Sequence, residues 1–353
     1  MKTPSSSSSY VPRGHWLLQP LGISLLVSRR GLAAALVLLA MALMVSIGSL
    51  TVGTPTLSPA EVLAAAIGKG DPFNVFMLQE LRMPRLAAGL LSGAALGVGG
   101  CLLQTLARNR LATPGIIGID DGATAFAVAS IVAIPTSLAP PMLALLGAST
   151  AAALAFGLGG GGARGYRFIV VGIAVGALFG ALTNFMLART SIDAANLAYP
   201  WTVGSLNARA PSTVIVLAVC LLLCLPVAKI LGRQLQLLRF SDAVAIGLGT
   251  NVRRTRLTIL VVTVLLTATA VAVAGPVGLI SLVAPEMARH LTGHRGVPII
   301  NSALAGALLM TAADWVGRTA FAPVEIPVGV ITAIVGGPYL LWILLREPRT
   351  PGT

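Results

Sequence analysis

Five acidic or basic side chains stand inside or beside long apolar runs, where charge is costly and usually functional. Asp120 and Asp121 are adjacent in the apolar stretch 114–134, within about two helical turns of its start. They can cap a helix beginning after the Pro114-Gly115 break, or face an aqueous path; both roles are open. Asp314 and Arg318 are spaced i,i+4 at the end of the stretch 299–317, the spacing of an ion pair on one helix face. Glu325 lies in Pro323–Gly329, where the chain turns back toward apolar sequence, and either caps that turn or binds.

Other chemistry is poorly served. Leu158–Gly162 is rich in Gly, but no Gly-Lys-Ser/Thr follows, so it is a helix end and not a phosphate cradle. Cys220 and Cys224 share a helix face and Cys101 stands alone, without the further ligands a metal would want. They read as small apolar packing residues. His290 and His294 flank Arg289 and Arg295, which suits a helix terminus better than a ligand pair. No nucleophile–base arrangement emerges, so the chain is expected to have no catalytic, cofactor or metal site.

The elements that must carry these residues follow from composition. Of 353 residues 56% are hydrophobic and 10% charged, with a mean hydropathy of +0.90. An ordinary soluble domain has about 25% charged residues, so this chain cannot cover a water-facing surface. Its net charge of +13 would suggest nucleic acid in a soluble protein. Here the charge lies between apolar runs, and the expectation is membrane lipid as surroundings with no nucleic acid. Runs at about 31–50, 86–107, 114–134, 138–160, 166–188, 211–231, 256–274, 277–292, 299–317 and 326–345 predict an all-α integral membrane protein of about ten transmembrane helices. The run 31–50 is too long for the apolar core of a cleaved signal peptide.

With the N-terminus inside, only Lys69, Arg82, Arg85, Arg189, Arg209 and Arg318 of the 24 basic residues fall outside. That asymmetry puts both termini in the cytoplasm. Residues 1–30, with the serine run Ser5–Ser9, are expected to be a polar disordered tail, 31–346 the membrane domain and 347–353 a short tail. Two short outer helices are predicted, one from Pro59 behind a Ser58 cap and one over Ser191–Asn207. On the inner side, Phe240–Gly249 reads as a short amphipathic helix with Ser241 as its cap and Asp242 in its first turn. Such a helix lies on lipid or docks into a partner's groove.

Several motifs in order resemble one family. They are Leu81-Arg82-Met83-Pro84-Arg85; Gly93-Ala94-Ala95-Leu96 with Gly99-Gly100 and Gln104; and Asn109, Leu111-Ala112, Pro114-Gly115 and Gly118-Ile119. The second half adds Leu248-Gly249-Thr250-Asn251-Val252, Val273-Ala274-Gly275-Pro276-Val277-Gly278, Leu282-Val283-Ala284-Pro285 with Arg289, and Glu325-Ile326-Pro327-Val328-Gly329. Over roughly 55–346 the chain is similar to the FecCD-type permeases of iron-chelate and cobalamin importers.

That resemblance implies the type II ABC importer permease fold and alternating access in the cytoplasmic membrane. The implied partners are a second permease subunit (a copy or a paralogue), a cytoplasmic ATPase dimer and an extracytoplasmic substrate-binding protein. It assigns Arg82, Arg85 and Arg318 to binding-protein docking. It assigns Ser241, Asp242, Ala243, Ala245, Ile246, Gly247, Leu248 and Gly249 to the coupling helix that enters the ATPase. It places Asn109, Arg110, Leu111, Gly165, Tyr166, Gly172 and Gly176 at the gate or along the path, and a ferric siderophore as the first-choice cargo, with haem and cobalamin as alternatives. The chain departs from the family pattern at Arg110, Asp120-Asp121, Ser241-Asp242, Glu286 and Gly165-Tyr166. An ion-coupled secondary transporter using Asp120, Asp121, Asp314 or Glu325 is the competing reading; a membrane subunit without transport is another.

Overall fold

The computed structural model describes residues 15–18, 25–53, 55–132, 140–159, 166–207, 210–293 and 296–346. Among these residues ten helices match the ten apolar runs: α1 (Arg29–Thr51), α4 (Met83–Ala107), α5 (Ile119–Val132), α6 (Pro140–Leu158), α7 (Tyr166–Ala188), α9 (Pro211–Leu238), α11 (Val252–Ala274), α12 (Gly278–Thr292), α13 (Ile299–Thr319) and α14 (Val328–Arg346). Seven segments, those of α1, α4, α6, α7, α9, α11 and α13, are long and apolar enough to cross a membrane. By contrast, α5 has 14 residues and α12 has 15. Each follows a break in the helical backbone: a 3-10 turn at Pro114–Ile117 precedes α5, and the Gly275-Pro276 corner precedes α12. Non-helical backbone within a membrane bundle survives when protein covers it or when it lines a water-filled cavity. The 3-10 turn packs against α7, and the Gly275 corner packs against the end of α8.

The shorter helices are α2 (Pro59–Ala66), α3 (Pro72–Phe76), α8 (Ile192–Val203) and α10 (Asp242–Gly247). In α2 the expected cap becomes a full capping box: Ser58 Oγ accepts from the Glu61 N–H at 3.3 Å, and Glu61 Oε2 accepts from the Ser58 N–H at 2.7 Å. The hydrogen bond from the Ser58 backbone holds the Glu61 carboxyl below its ordinary pKa. Outer helix α8 starts on the Ser191 cap, carries Pro200 inside it and stops at Gly204.

Within 1–30 the described residues hold two short strands: β1 (His15–Leu18) pairs antiparallel with β2 (Leu25–Ser28), Trp16 opposite Val27. The facing pair Trp16 and Val27 are side chains of strand-favouring type. Arg29 lies 5.1 Å over the Trp16 ring and joins the ribbon to α1. The serine run and residues 347–353 lie outside the described residues.

Close packing centres on α4, which touches α9, α11, α12 and α13. Its glycines are divided among these partners. A Cβ on Gly93 would come within 2.7 Å of the Gly306 carbonyl carbon in α13, and one on Gly99 within 3.0 Å of Thr267 Oγ1 in α11. One on Gly100 would come within 2.7 Å of the Ser281 carbonyl carbon in α12. Small residues permit such approach where lipid supplies no hydrophobic drive between helices. Hydroxyls in these helices bond back to the carbonyl one turn earlier, as Thr263 does to Ile259 at 2.8 Å and Thr311 to Ala307 at 2.7 Å.

Candidate functional site

At the outer end, two arginines from different helices meet on one buried carboxylate. Arg85 Nε lies 3.1 and 3.2 Å from the two Asp314 oxygens, and its Nη2 3.0 Å from Oδ1. Arg318 Nε donates to Asp314 Oδ2 at 3.1 Å, confirming the i,i+4 pair, and its Nη2 donates to Ser49 Oγ at 2.6 Å in α1. Asp314 is 5% exposed; a carboxylate so placed is tolerated only with paired cations and hydrogen bonds. Arg85 reaches further, from Nη1 to Glu325 Oε2 at 2.9 Å. The network therefore ties α1, α4 and α13 to the turn before α14.

Arg82 stands apart from the expected trio of outward cations. A π-helical segment, Met77–Arg82, rotates it inward, and its guanidinium donates to the carbonyls of Leu50 at 2.5 Å and Pro55 at 2.6 Å. It is 8% exposed and clamps the end of α1. All three arginines still border one cavity of about 290 Å³, with Glu80, Asn207 and Glu325 also on its wall.

Below this mouth three element ends converge. The Ser205 N–H donates to Ala274 O at 2.7 Å, joining the end of α8 to that of α11, and the Gly329 N–H donates to Gly204 O at 3.2 Å, bringing in the start of α14. A side chain on Gly275, whose φ is +74°, would come within 2.9 Å of Gly204 Cα, so this corner has room only for glycine.

At the inner end, α10 projects from the bundle between α9 and α11. Ser241 caps it, its Oγ accepting from the Val244 N–H at 3.2 Å. Ala245 is buried against the bundle, while Phe240, Val244, Ile246 and Leu248 are exposed and Ala243, Gly247 and Gly249 have open space or solvent beside them. Asp242 anchors the helix: it receives Arg256 Nη2 from α11 at 2.7 Å and lies 3.9 Å from Arg108 Nη2. Arg108 closes α4 in the left-handed region, at φ 52°, and also donates to the Leu238 carbonyl that ends α9. A non-glycine residue is costly in that conformation, and these two bonds hold it there. The clamp joins the inner ends of α4, α9, α10 and α11. Sequence offered only its parts, since Arg108 and Asp242 are 134 positions apart.

The gate residues divide. Asn109 Oδ1 accepts from the Leu111 N–H at 2.9 Å and shapes the loop after α4, and Leu111 is exposed. Arg110 Nη1 lies 3.4 Å from Glu286 Oε1, so two positions that depart from the family pattern are in contact. Glu286 is buried and also meets Arg289 Nε at 3.0 Å and His290 Nε2 at 3.3 Å. Gly172 and Gly176 are packing positions: a Cβ on Gly172 would lie 3.0 Å from Ile117 Cα, and one on Gly176 2.7 Å from Asp121 Oδ2. Gly180 on the same helix has nothing within 4 Å. Tyr166 opens α7, and Gly165 lies outside the described residues. Asp120 packs against Gly115, its Oδ1 buried without a hydrogen-bond partner among the described residues.

A polytopic bundle with a charged outer mouth, a glycine-lined junction and a short apolar helix presented at the other end has the architecture of a membrane permease. The chain belongs to the FecCD transport family, whose model matches residues 32–346. It is 36% identical over 325 residues to the ferric enterobactin transport system permease protein FepG of Escherichia coli (strain K12), covering 92% of this chain and 98% of that one. Against the Fe(3+)-citrate import system permease protein YfmE of Bacillus subtilis (strain 168) it is 36% identical, over 91% and 97% of the two chains. With the hemin transport system permease protein HmuU of Yersinia pestis it shares 35%, over 76% and 83%. A metal-chelate type ABC transporter solved in an inward-facing conformation superposes with a TM-score of 0.79 at 25% identity, over 89% of this chain and 99% of that one. The chain is thus a multi-pass ABC importer permease subunit of the cytoplasmic membrane. That class works with an ATPase and a substrate-binding protein.

Proposed function

We propose that two such subunits, identical or paralogous, enclose a path that carries an iron chelate, a ferric siderophore first among the candidates, into the cytoplasm. Cargo class follows the similar permeases, whose names specify ferric enterobactin, ferric citrate and hemin. Competing readings with other cargo stay within the same machine. Ion coupling is disfavoured because the chain belongs to a family of ABC importer permeases, and because Asp314 is held by both Arg85 and Arg318.

The observation that carries the mechanism is α10. Its exposed apolar side chains suit insertion into a groove of an ATPase subunit, and its Asp242 clamp passes any displacement to α4 and α11, the centre of the bundle. Closure of the ATPase dimer on ATP pushes both α10 helices, and the subunits rock between outward- and inward-open states. Path residues are expected on α7, α8 and α14, with Asn109, Arg110, Leu111, Gly165 and Tyr166 at the inner gate. A cargo path needs little affinity of its own when a binding protein supplies it.

On the outer face, Arg82, Arg85 and Arg318, which border one cavity, are the docking cations, with Arg82 the one also tied to the end of α1. Arg85→Gln and Arg318→Gln should each weaken binding-protein affinity about tenfold at low ionic strength and flatten its salt dependence, because complementary charge acts mainly on encounter and register. Titration of the binding protein onto nanodisc-held permease at two salt concentrations reads this out. Unaltered affinity at low salt removes the arginines from docking.

A further inference from the structure

We propose that Glu325 is the exchangeable partner of Arg85: it occupies the docking cation in the free permease and yields it to a carboxylate of the binding protein. This rests on the docking role of Arg85 given above. Arg85 makes two ion pairs of different character. Asp314 is buried and both its oxygens are taken, one set by Arg85 and one by Arg318, so it is a fixed counter-charge. The Glu325 side chain is 47% exposed and reaches Arg85 from Oε2 to Nη1 at 2.9 Å, at the wall of the outer cavity. An ion pair so open to water is weak, and an incoming carboxylate can replace it without leaving a buried charge behind. Phe321 and Val324, on the same turn, are exposed apolar side chains beside it.

The position of Glu325 gives the exchange a consequence. It lies three residues before α14 and four before Gly329, whose N–H bonds to Gly204 at the end of α8. Besides the Arg85 pair, the turn is held to α13 by the Ile326 N–H donating to Gly317 O at 2.9 Å. Releasing Glu325 therefore loosens the segment that opens α14, at the junction of α8, α11 and α14. Docking and the movement of a path-lining helix are linked through one side chain.

The test uses the full permease with its ATPase in nanodiscs, and the binding protein that stimulates ATP hydrolysis by that complex. Glu325→Gln should bind it about two- to fivefold more tightly than wild type at low salt, the worth of an exposed ion pair no longer competed for. Glu325→Ala should do the same, and in an Arg85→Gln background neither should gain anything. A merely structural Glu325 would weaken docking or leave it unchanged. That result, with Arg85→Gln still weakening docking, overturns the exchange and spares the docking assignment. If Arg85→Gln itself has no effect, both fall. Without the binding protein, amide exchange across Phe321–Pro327 should rise in Glu325→Gln; unchanged exchange overturns the link to α14.

Discussion

Ile246→Asp combined with Leu248→Asp is expected to cut ATP-driven uptake about tenfold or more while the permease remains folded. Ile246 in α10 and Leu248 at its C-cap are 63% and 61% exposed, so their replacement removes little packing within the subunit. Surface changes of this kind alter stability by only about 0.5 kcal/mol. On the proposed docking of α10 the same positions enter an apolar groove, where an unpaired carboxylate costs several kcal/mol, and each 1.4 kcal/mol is about tenfold in affinity. The ATPase should fail to co-purify, and its hydrolysis should no longer respond to the binding protein. Ala245→Asp is the contrasting variant: Ala245 is fully buried against the bundle, so that change should lower the yield of folded permease instead. Wild-type ATPase association in the double variant would show that α10 is not the contact.

The second large effect belongs to the α4–α13 crossing. Gly93→Val should destabilise the bundle by about 1–3 kcal/mol or more, the range for overpacked cores. Its first added carbon would lie 2.7 Å from the Gly306 carbonyl carbon and 2.7 Å from Met310 Cβ. Neither atom is the far end of a flexible side chain, so neither can yield. Because α13 carries Asp314 and Arg318 while α4 leads up to Arg85 and down to Arg108, a shift at this crossing also misaligns both faces of the site. Gly180→Ala, which meets nothing within 4 Å, should change the unfolding temperature little. Thermal unfolding of the detergent-solubilised variants, followed by loss of the monodisperse peak, separates the two. Equal midpoints would show that α4 and α13 are not held this closely.

What the residues announce, and what they hide, follows from range. Apolar runs of spanning length locate ten helices, because bilayer thickness acts on contiguous sequence. Ser58 and Ser241 are legible as caps, and Asp314–Arg318 as a pair, since each needs only three or four positions of separation. Arg82 reads as an outward cation, yet a π-helical turn rotates it inward, and nothing in Met77–Arg82 announces that extra residue per turn. The strands His15–Leu18 and Leu25–Ser28 are hidden behind the serine run, whose polarity dominates the composition of the tail. Arg85–Glu325, Arg110–Glu286 and Arg108–Asp242 join residues more than a hundred positions apart. A single sequence carries no signal for such pairs; only the packing of α4 against α12 and α13, and of α9 with α10 and α11, brings them together.

On the proposed function, this subunit moves an iron chelate with energy from a separate ATPase. Proteoliposomes holding the permease and its ATPase, supplied outside with binding protein and radiolabelled ferric siderophore, haem or cobalamin, test it directly. Uptake of the ferric siderophore should require internal ATP and the binding protein and persist when proton and sodium gradients are collapsed. Uptake that follows an imposed ion gradient without ATPase or ATP would contradict it.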